Sequence, residues 1–243
     1  MNRTDMEQCR WHAFSDELVL QQAACKTILD CATLAIHQRG QFLLVLAGGN
    51  TPRGTYNQLC QARANWSAWH IYFGDERCLP LLDPARNSSI AAMVWLDCVP
   101  IPASQLHTIP AELGPIRAAQ MYAETLQTVG EFDLVMLGLG EDGHTASLFP
   151  DHEWGTAPRS PDVLAVFDAP KPPPQRVSLS AARLSRARQV MFLISGESKQ
   201  RALTAWRGGM DIPARAIRPR AGVDVLVVSA LLAPLDGSAD LPR

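Results

Sequence analysis

The sequence predicts an α/β protein with a Rossmann-like, mainly parallel β-sheet that carries helices on both faces. Two observations predict this fold class. Apolar, strand-like segments alternate with helix-like segments through the chain, and this alternation builds parallel sheets. Of the 243 residues, 47% are hydrophobic, which is enough for the core of one large α/β domain. We therefore expect a single domain over residues 1–243, with a core at about 12–232 and a frayed polar tail at 235–243.

The first predicted element is a helix that begins near Ser15, Asp16 and Glu17 and ends at Gly40. Apolar side chains recur at helical spacing between these ends, and glycine commonly terminates a helix. Short apolar runs then predict buried strands at 42–47, 70–73, 132–137, 163–167, 176–179, 190–194 and 223–228. Further helices are predicted between them at 52–62, 87–96, 116–129 and 197–206.

Two proline-rich stretches interrupt this alternation, and we expect both to be ordered loops. They are residues 99–115, with four prolines, and residues 169–174. Proline fixes φ and has no amide hydrogen, so neither stretch suits a helix or a central strand. The second stretch is short and lies between two predicted strands, which favours a rigid turn over a flexible linker.

Charge and cysteine content exclude several classes of protein. With 22 basic and 24 acidic residues the formal charge is -2, which offers no general attraction for nucleic acid or an anionic membrane. The first residues lack the apolar core of a signal peptide, and no apolar run is long enough to cross a membrane. The six cysteines show neither metal-site nor disulfide spacing. We expect a cytoplasmic monomer or weak homodimer without nucleic-acid, membrane or metal partners.

A glycine-lined turn with a histidine follows the predicted strand 132–137. Gly140 and Gly143 let a ligand approach the backbone closely, and His144 follows at once, beside Asp142. A histidine just beyond the carboxyl end of a parallel strand lies where open α/β sheets hold their chemistry. For this segment alone, a tight turn with a surface histidine remains the alternative.

The segment LAGGNTPRGTY, residues 46–56, predicts an anion site. Glycine amides, polar side chains and the positive end of a following helix together attract a phosphate, and proline suits the first turn of that helix. The candidate ligands are Gly48, Gly49, Asn50, Thr51 and Arg53. The segment is neither a P-loop nor a dinucleotide-binding turn, so a plain strand-to-helix connection remains possible.

The predicted strand 70–73 delivers Asp75, Glu76 and Arg77 to the same edge of the sheet. Arginine can bind phosphate or neutralise an oxyanion, and aspartate can accept sugar hydroxyls or orient a base. Taken alone, the three charges also fit a solvated cluster. Asn87 is either a helix cap or a ligand contact.

Lys171 and Arg176 flank the proline turn and form a fixed pair of cations that could complete a phosphate pocket. Isolated surface cations are usually only solvated. Ser147 lies outside a G-x-S-x-G elbow, and we expect it in a helix. Since no serine–histidine or cysteine–histidine motif is present, hydrolysis by a histidine-activated water is favoured over covalent catalysis.

Four segments in this order, LAGGNTPRGTY, FGDERCLP, LGLGEDGHTASLFPDH and PKPPPQR, resemble the motifs of the 6-phosphogluconolactonase family. The resemblance spans residues 12–210 or so. It implies hydrolysis of 6-phospho-D-glucono-1,5-lactone to 6-phosphogluconate, the second step of the pentose phosphate pathway, without metal or organic cofactor. The family shares its Rossmann-like fold with glucosamine-6-phosphate deaminases and ribose-5-phosphate isomerases.

The resemblance also implies roles for individual residues. His144 is the general base that takes a proton from the water attacking the lactone carbonyl, and Asp142 helps to set its position or protonation. Asp75 and Arg77 approach the sugar and the developing oxyanion. The remaining substrate-binding residues would be Gly48, Gly49, Asn50, Thr51, Arg53, Asn87, Lys171 and Arg176.

The chain departs from the family pattern in places. Asn50 and Arg86 stand where serine is common, and both are polar; residues 223–234 lack a tryptophan and an aspartate often seen there, which questions the C-terminal packing. The nearest rival, a glucosamine-6-phosphate deaminase-like aldose–ketose isomerase, typically continues its histidine motif as I-A-F-N-E-P. Residues 145–150 read TASLFP here, which favours the lactonase. A sugar-phosphate sensor is disfavoured because no helix-turn-helix extension or basic face is apparent.

Overall fold

The structure is a computed structural model that describes residues 9–233, so the predicted tail at 235–243 lies outside the described residues. The strands are β1 (Cys9–Phe14), β2 (Phe42–Leu46), β3 (Trp69–Phe73), β4 (Asp75–Arg77), β5 (Leu106–His107), β6 (Phe132–Gly138), β7 (Val163–Val166), β8 (Arg176–Leu179), β9 (Ala187–Ile194) and β10 (Val223–Val228). The helices are α1 (Glu17–Arg39), α2 (Asn50–Leu59), α3 (Asn87–Val94), α4 (Pro115–Leu126), α5 (Ala181–Ser185) and α6 (Gln200–Arg207).

Seven strands form a parallel central sheet with the order β1-β10-β9-β6-β2-β3-β5. From β2 the chain builds outward to β3 on one side, and the later strand β6 lies on the other side. The strand order therefore reverses at β2, and open α/β sheets bind ligands outside the carboxyl ends of the strands at such a point. Helices flank this sheet, which confirms the predicted α/β class.

The long helix predicted near the N-terminus is confirmed as α1, and it begins and ends where the sequence predicts. The Asp16 carboxylate accepts the N–H of Val19 at 2.9 Å. Gly40 ends the helix with a φ of 77°, and its N–H donates to the carbonyl of Ile36 at 2.8 Å. The face of α1 that packs on the sheet consists of Leu20, Ala24, Cys25, Ile28, Ala32 and Ala35. No helix within residues 9–233 has both the length and the apolar character that a membrane crossing requires.

Five of the seven predicted strands lie in the central sheet, and the runs at 163–167 and 176–179 lie elsewhere. They form β7 and β8 of a second, antiparallel sheet with the order β4-β8-β7. Buried apolar runs have the same appearance in both sheets, so the sequence pattern identifies these strands without assigning them to a sheet. β10 is buried between β1 and β9, which removes the doubt about packing as far as residue 228.

The sequence pattern does not predict β1, β4 or β5. β1 is a half-exposed edge strand that pairs with β10 along its whole length. β4 consists of three charged residues, and β5 has only two residues inside the proline-rich stretch 99–115. Short or half-exposed strands lack the continuous apolar run by which buried strands are recognised.

Two turns bring the later motifs into place. The proline-rich stretch 169–174 is confirmed as an ordered turn, because the N–H of Ala169 donates to the carbonyl of Pro174 at 3.0 Å. The expectation that Ser147 lies in a helix is wrong. Ser147 lies in a turn that Thr145 and Leu148 close through a 3.0 Å backbone hydrogen bond, so its side chain is directed by the turn.

Candidate active site

A cavity of about 620 Å³ opens at the carboxyl ends of β2, β3, β6 and β9. The connection that follows each of these strands contributes part of the lining. The predicted site residues that line it are Gly48, Gly49, Asn50, Thr51, Asp75, Arg77, Asn87, His144, Lys171 and Arg176. Arg53 is exposed and lies outside this lining, and Asp142 reaches the cavity through His144.

The turn after β6 fixes the imidazole of His144. The Nδ1 atom lies 2.5 Å from Oδ1 of Asp142, and the same oxygen accepts the backbone N–H of His144 at 3.2 Å. The N–H of Gly140 donates to the carbonyl of His144 at 2.7 Å. A Cβ on Gly140 would lie 2.0 Å from Nδ1, so only glycine leaves room for the ring. The ring also packs against Phe149, with centroids 4.7 Å apart.

The Asp142–His144 contact determines which nitrogen can act as a base. Burial would raise the pKa of the Asp142 carboxyl, but the hydrogen bonds and the charge of His144 outweigh it and lower this pKa to about 2. Asp142 is therefore ionised at neutral pH and accepts a hydrogen bond from the N–H at Nδ1 of His144. In the neutral tautomer that this contact favours, Nε2 carries the lone pair.

The second carboxylate of the site, Asp75, is buried and is held by groups from two other segments. Only 6% of its surface is exposed. Its Oδ1 atom accepts Nδ2 of Asn87 at 3.0 Å, and its Oδ2 atom accepts the hydroxyl of Ser147 at 2.6 Å. The Asn87 amide also donates to the backbone carbonyl of Asp75 at 3.0 Å. A Cβ on Gly48 would lie 2.2 Å from the Asn87 side chain, so this glycine makes room for the clamp.

Glu76 and Arg86 support this strand end from behind the cavity. Glu76 is fully buried and accepts the N–H groups of Asn87 and Ser88, both at 2.8 Å, so it caps α3. Arg86 lies 3.6 Å from Glu76 and donates to Glu112 at 2.7 Å. Arg86 is thus a buried link between β4, α3 and the proline-rich stretch.

Arg77 and Arg176 face each other across the β4–β8 ladder and both line the cavity. Arg77 donates Nη1 to the carbonyl of Ala85 at 2.5 Å, and its buried Nε has no hydrogen-bond partner within residues 9–233. Arg176 is held by the carbonyls of Lys171 and Pro173 at 3.0 and 3.1 Å. Burial lowers the pKa of Arg176; Asp75 opposes this and Arg77 adds to it. Two adjacent guanidinium groups in a partly desolvated site favour an anion.

Sequence reasoning missed the connection between β9 and α6, which supplies Ser195, Gly196, Ser198 and Lys199 to the lining. The Ser195 and Thr51 hydroxyls are 2.6 Å apart, so this connection touches the start of α2. Burial lowers the pKa of the Lys199 ammonium. The positive charge of Lys171 lowers this pKa further, and the negative charge of Glu141 opposes the change. Glu141 lies on the rim, 3.8 Å from Lys171. The polar run SGESK directly after a predicted strand was the available signal.

The donor set of the cavity suits an anionic, polyhydroxylated ligand. It combines the N-terminus of the ten-residue helix α2 with lysine and arginine side chains, the carboxylates of Glu17, Asp75 and Glu141, and one imidazole. Within residues 9–233, no group of three or more His, Cys, Asp or Glu side chains could hold a metal ion. The arrangement can bind a phosphate, accept hydroxyl protons and remove a proton from water.

Comparison with known proteins identifies relatives over most of the chain. A family model described as "Glucosamine-6-phosphate isomerases/6-phosphogluconolactonase" matches residues 15–226. The chain is 36% identical over 222 residues to the 6-phosphogluconolactonase of Synechocystis sp., and the match covers 84% of this chain and 91% of that protein. It is 34% identical over 249 residues to the 6-phosphogluconolactonase of Streptomyces coelicolor, covering 94% and 93% of the two chains.

Solved structures match the fold as well. The 6-phosphogluconolactonase of Thermotoga maritima has a TM-score of 0.83 and 26% identity, with 90% of this chain and 99% of that chain covered. The 6-phosphogluconolactonase of Trypanosoma brucei has a TM-score of 0.76 and 26% identity, with 92% and 97% covered. Since the family model covers most of the chain and the relatives exceed 30% identity, the chain belongs to the glucosamine-6-phosphate isomerase/6-phosphogluconolactonase family.

Proposed function

We propose that this protein is a 6-phosphogluconolactonase, a carboxylic-ester hydrolase that converts 6-phospho-D-glucono-1,5-lactone to 6-phospho-D-gluconate in the oxidative pentose phosphate pathway. The observation that carries the proposal is the imidazole of His144, held by Asp142 in a cavity rich in cationic groups. The names of the Synechocystis and Streptomyces relatives support the same activity.

His144 is the general base in the proposed reaction. Asp142 accepts a hydrogen bond from the protonated Nδ1 atom, which leaves the lone pair on Nε2. The Nε2 atom takes a proton from a water as that water attacks the lactone carbonyl. The carbonyl oxygen then carries a negative charge, which the guanidinium groups of Arg77 and Arg176 at the β4–β8 ladder stabilise. Collapse of the tetrahedral intermediate breaks the ring C–O bond, and the imidazolium returns its proton to the ring oxygen.

The sugar phosphate binds where the positive groups converge. The backbone N–H groups at the start of α2, with Gly48, Gly49, Asn50 and Thr51, form one side of this site. Lys171 and Arg176, from the proline turn, form another. Lys199 is an additional ligand in this proposal, because its connection contacts Thr51 through Ser195. Arg53 is exposed and does not line the cavity, so it has no ligand contact in this proposal.

Purified protein should accelerate hydrolysis of freshly prepared 6-phosphogluconolactone above its spontaneous rate, measured by coupled oxidation of the 6-phosphogluconate formed. His144→Ala should remove most of that gain, about 100-fold or more in kcat, because general-base catalysis is lost. His152→Ala is the matched control, since His152 lies in the next turn, is exposed and does not line the cavity. Its rate should equal that of the wild type.

Two results would contradict the proposal. Wild-type protein that binds 6-phosphogluconate but leaves the spontaneous rate unchanged would support a sugar-phosphate sensor. Release of ammonia from glucosamine 6-phosphate, without lactone hydrolysis, would assign the chain to the deaminase branch of its family. The TASLFP continuation after His144 favours the lactonase over that branch.

A further inference from the structure

The hydroxyl of Ser147 makes a buried contact with Asp75, a cavity residue, and the histidine mechanism does not use this contact. Ser147 is 1% exposed and does not itself line the cavity, although its neighbours Thr145 and Ala146 do. Its hydroxyl donates to Oδ2 of Asp75 at 2.6 Å. Ser147 therefore cannot be a nucleophile for a bound substrate, and any effect on the substrate must pass through Asp75.

Asp75 is held at both of its oxygen atoms. Asn87 donates to Oδ1 and Ser147 donates to Oδ2, so rotation of the carboxylate would break a buried hydrogen bond to a charged group. The backbone of Ser147 is also anchored, because its N–H donates to the hydroxyl of Ser178 at 3.2 Å. A carboxylate has about four lone-pair positions, and these two side chains occupy two of them. The others remain for a ligand in the cavity.

The two aspartates of the site differ in what they contact. Asp142 contacts the His144 ring, whereas the side-chain contacts of Asp75 are Ser147 and Asn87. Asp75 is thus an acceptor with a fixed direction at the cavity wall, which suits hydroxyl groups of a sugar. The phosphate, being an anion, has no favourable contact with this carboxylate.

We propose that Ser147 is a positioning residue that sets the selectivity of the cavity for the hydroxyl-bearing part of the ligand, by fixing Asp75 as a hydroxyl acceptor. This inference rests on the proposed function for the identity of the ligand. Because the turn between Thr145 and Leu148 follows His144 directly, the same hydroxyl ties the segment after the base to the strand end that binds the sugar.

Binding of two probes separates this role from a general structural one. Calorimetry with 6-phosphogluconate and phosphorus NMR titration with inorganic phosphate report, respectively, on hydroxyls plus phosphate and on phosphate alone. Ser147→Ala should raise the Kd for 6-phosphogluconate by about tenfold, the effect of misaligning one charge-assisted hydrogen bond. The Kd for inorganic phosphate should stay within about twofold, since Asp75 does not contact a phosphate.

Ser180→Ala is the matched control, because Ser180 is equally buried, caps α5 through Arg183 and does not line the cavity. It should leave the ratio of the two Kd values unchanged. If Ser147→Ala does not fold, as judged by its thermal melt, Ser147→Cys keeps the side-chain size with a weaker donor and carries the same expectation. An equal rise in both Kd values, or an unchanged Kd for 6-phosphogluconate, would overturn the proposal.

A double-mutant cycle tests whether Ser147 acts through Asp75. In an Asp75→Asn background, adding Ser147→Ala should change the Kd for 6-phosphogluconate by less than about twofold, because contacting residues are not additive. A further tenfold loss there would show that Ser147 acts by another route. Lactone hydrolysis by the wild type is measured in the same preparation. Its absence would refute the proposed function, while the two binding measurements would still decide the role of Ser147.

Discussion

The two aspartates of this cavity follow β3 and β6, the strands on either side of β2, and have contrasting environments. Asp142 has 35% of its side chain exposed and contacts a histidine two residues along the chain. Asp75 is 6% exposed and is held by a serine 72 residues away. The difference teaches that a carboxylate can have two uses. It orients a base when it accepts a hydrogen bond from the N–H of that base, and it presents a fixed acceptor to a ligand when other donors hold it. We expect the first arrangement to affect the chemical step and the second to affect ligand affinity.

The largest effect is expected from Asp142→Asn, which tests the role of the first aspartate in this comparison. Without the carboxylate, the amide no longer enforces the proton on Nδ1, and kcat should fall about 100-fold or more while KM changes little. Steady-state kinetics on the lactone, with the spontaneous rate subtracted, measure both values. Asp151→Asn removes an exposed carboxylate from the following turn, outside the cavity lining, and should have no effect. An unchanged kcat for Asp142→Asn would remove the distinction between the two aspartates.

Two glycines allow a test with smaller expected effects. One makes room for the His144 ring that Asp142 orients, and the other makes room for the Asn87 amide that holds Asp75. A Cβ at Gly140 would lie 2.0 Å from the His144 ring, and a Cβ at Gly48 would lie 2.2 Å from the Asn87 amide that holds Asp75. Gly140→Ala should lower kcat by about tenfold or more through a displaced base. Gly48→Ala should mainly raise the Kd for 6-phosphogluconate, by about tenfold, through a displaced clamp.

Kinetics and calorimetry on both glycine variants decide the matter. Gly130→Ala is a suitable control, since its Cβ would meet no atom within 4 Å. If both substitutions lowered kcat and ligand affinity equally, the turn of His144 and the clamp of Asp75 would be one unit rather than two. That result would mean that the coupling between the His144 turn and Asp75, which we propose for Ser147, involves the other residues of the cavity as well.

The same comparison shows what the sequence could predict. The Asp142–His144 contact lies within a single turn, so residue order and the position after a strand place both groups at one edge of the sheet, although the sequence leaves open whether Asp142 or Asp75 orients the ring. The contacts of Asp75 span 12 and 72 residues and required the fold. The sequence predicts Ser147 in a helix, whereas its backbone N–H donates to Ser178 of β8, a contact 31 residues away that local pattern does not reveal.

The fold shows the same division between local and distant information. The sequence predicts where α1 begins and ends because the signals near residues 15–17 and at Gly40 act within one turn of the chain. The edge strand β1 was missed because its pairing with β10 joins segments more than 200 residues apart and its own side chains are half exposed. Lys199 was missed because its run SGESK carries charge without a glycine-rich loop or a histidine, and only the fold brings it to Thr51 through Ser195.

The smallest expected effect concerns the free energy of unfolding at acid pH. It depends on the titration of Asp142, the more exposed of the two aspartates. The folded pKa of Asp142 is about 2, since the hydrogen bonds and charge of His144 outweigh the effect of burial, whereas an unfolded aspartate titrates at about 3.9. A pKa that is lower in the folded state gives stability that is present above about pH 3.9 and is lost as the pH falls towards 2. With 35% of the side chain exposed, solvent screening limits this contribution to less than about 1 kcal/mol.

Urea unfolding at pH 6 and at pH 3 should therefore show a free-energy difference between wild type and Asp142→Asn that shrinks at the lower pH. Asp151→Asn, an exposed carboxylate without a histidine contact, should show no such trend. A difference for Asp142→Asn that stays constant with pH would mean that the carboxylate orients the ring without being stabilised by it in the folded state. The pairing with His144 would then act on the catalytic step alone, and any loss of kcat in this variant would have no counterpart in stability.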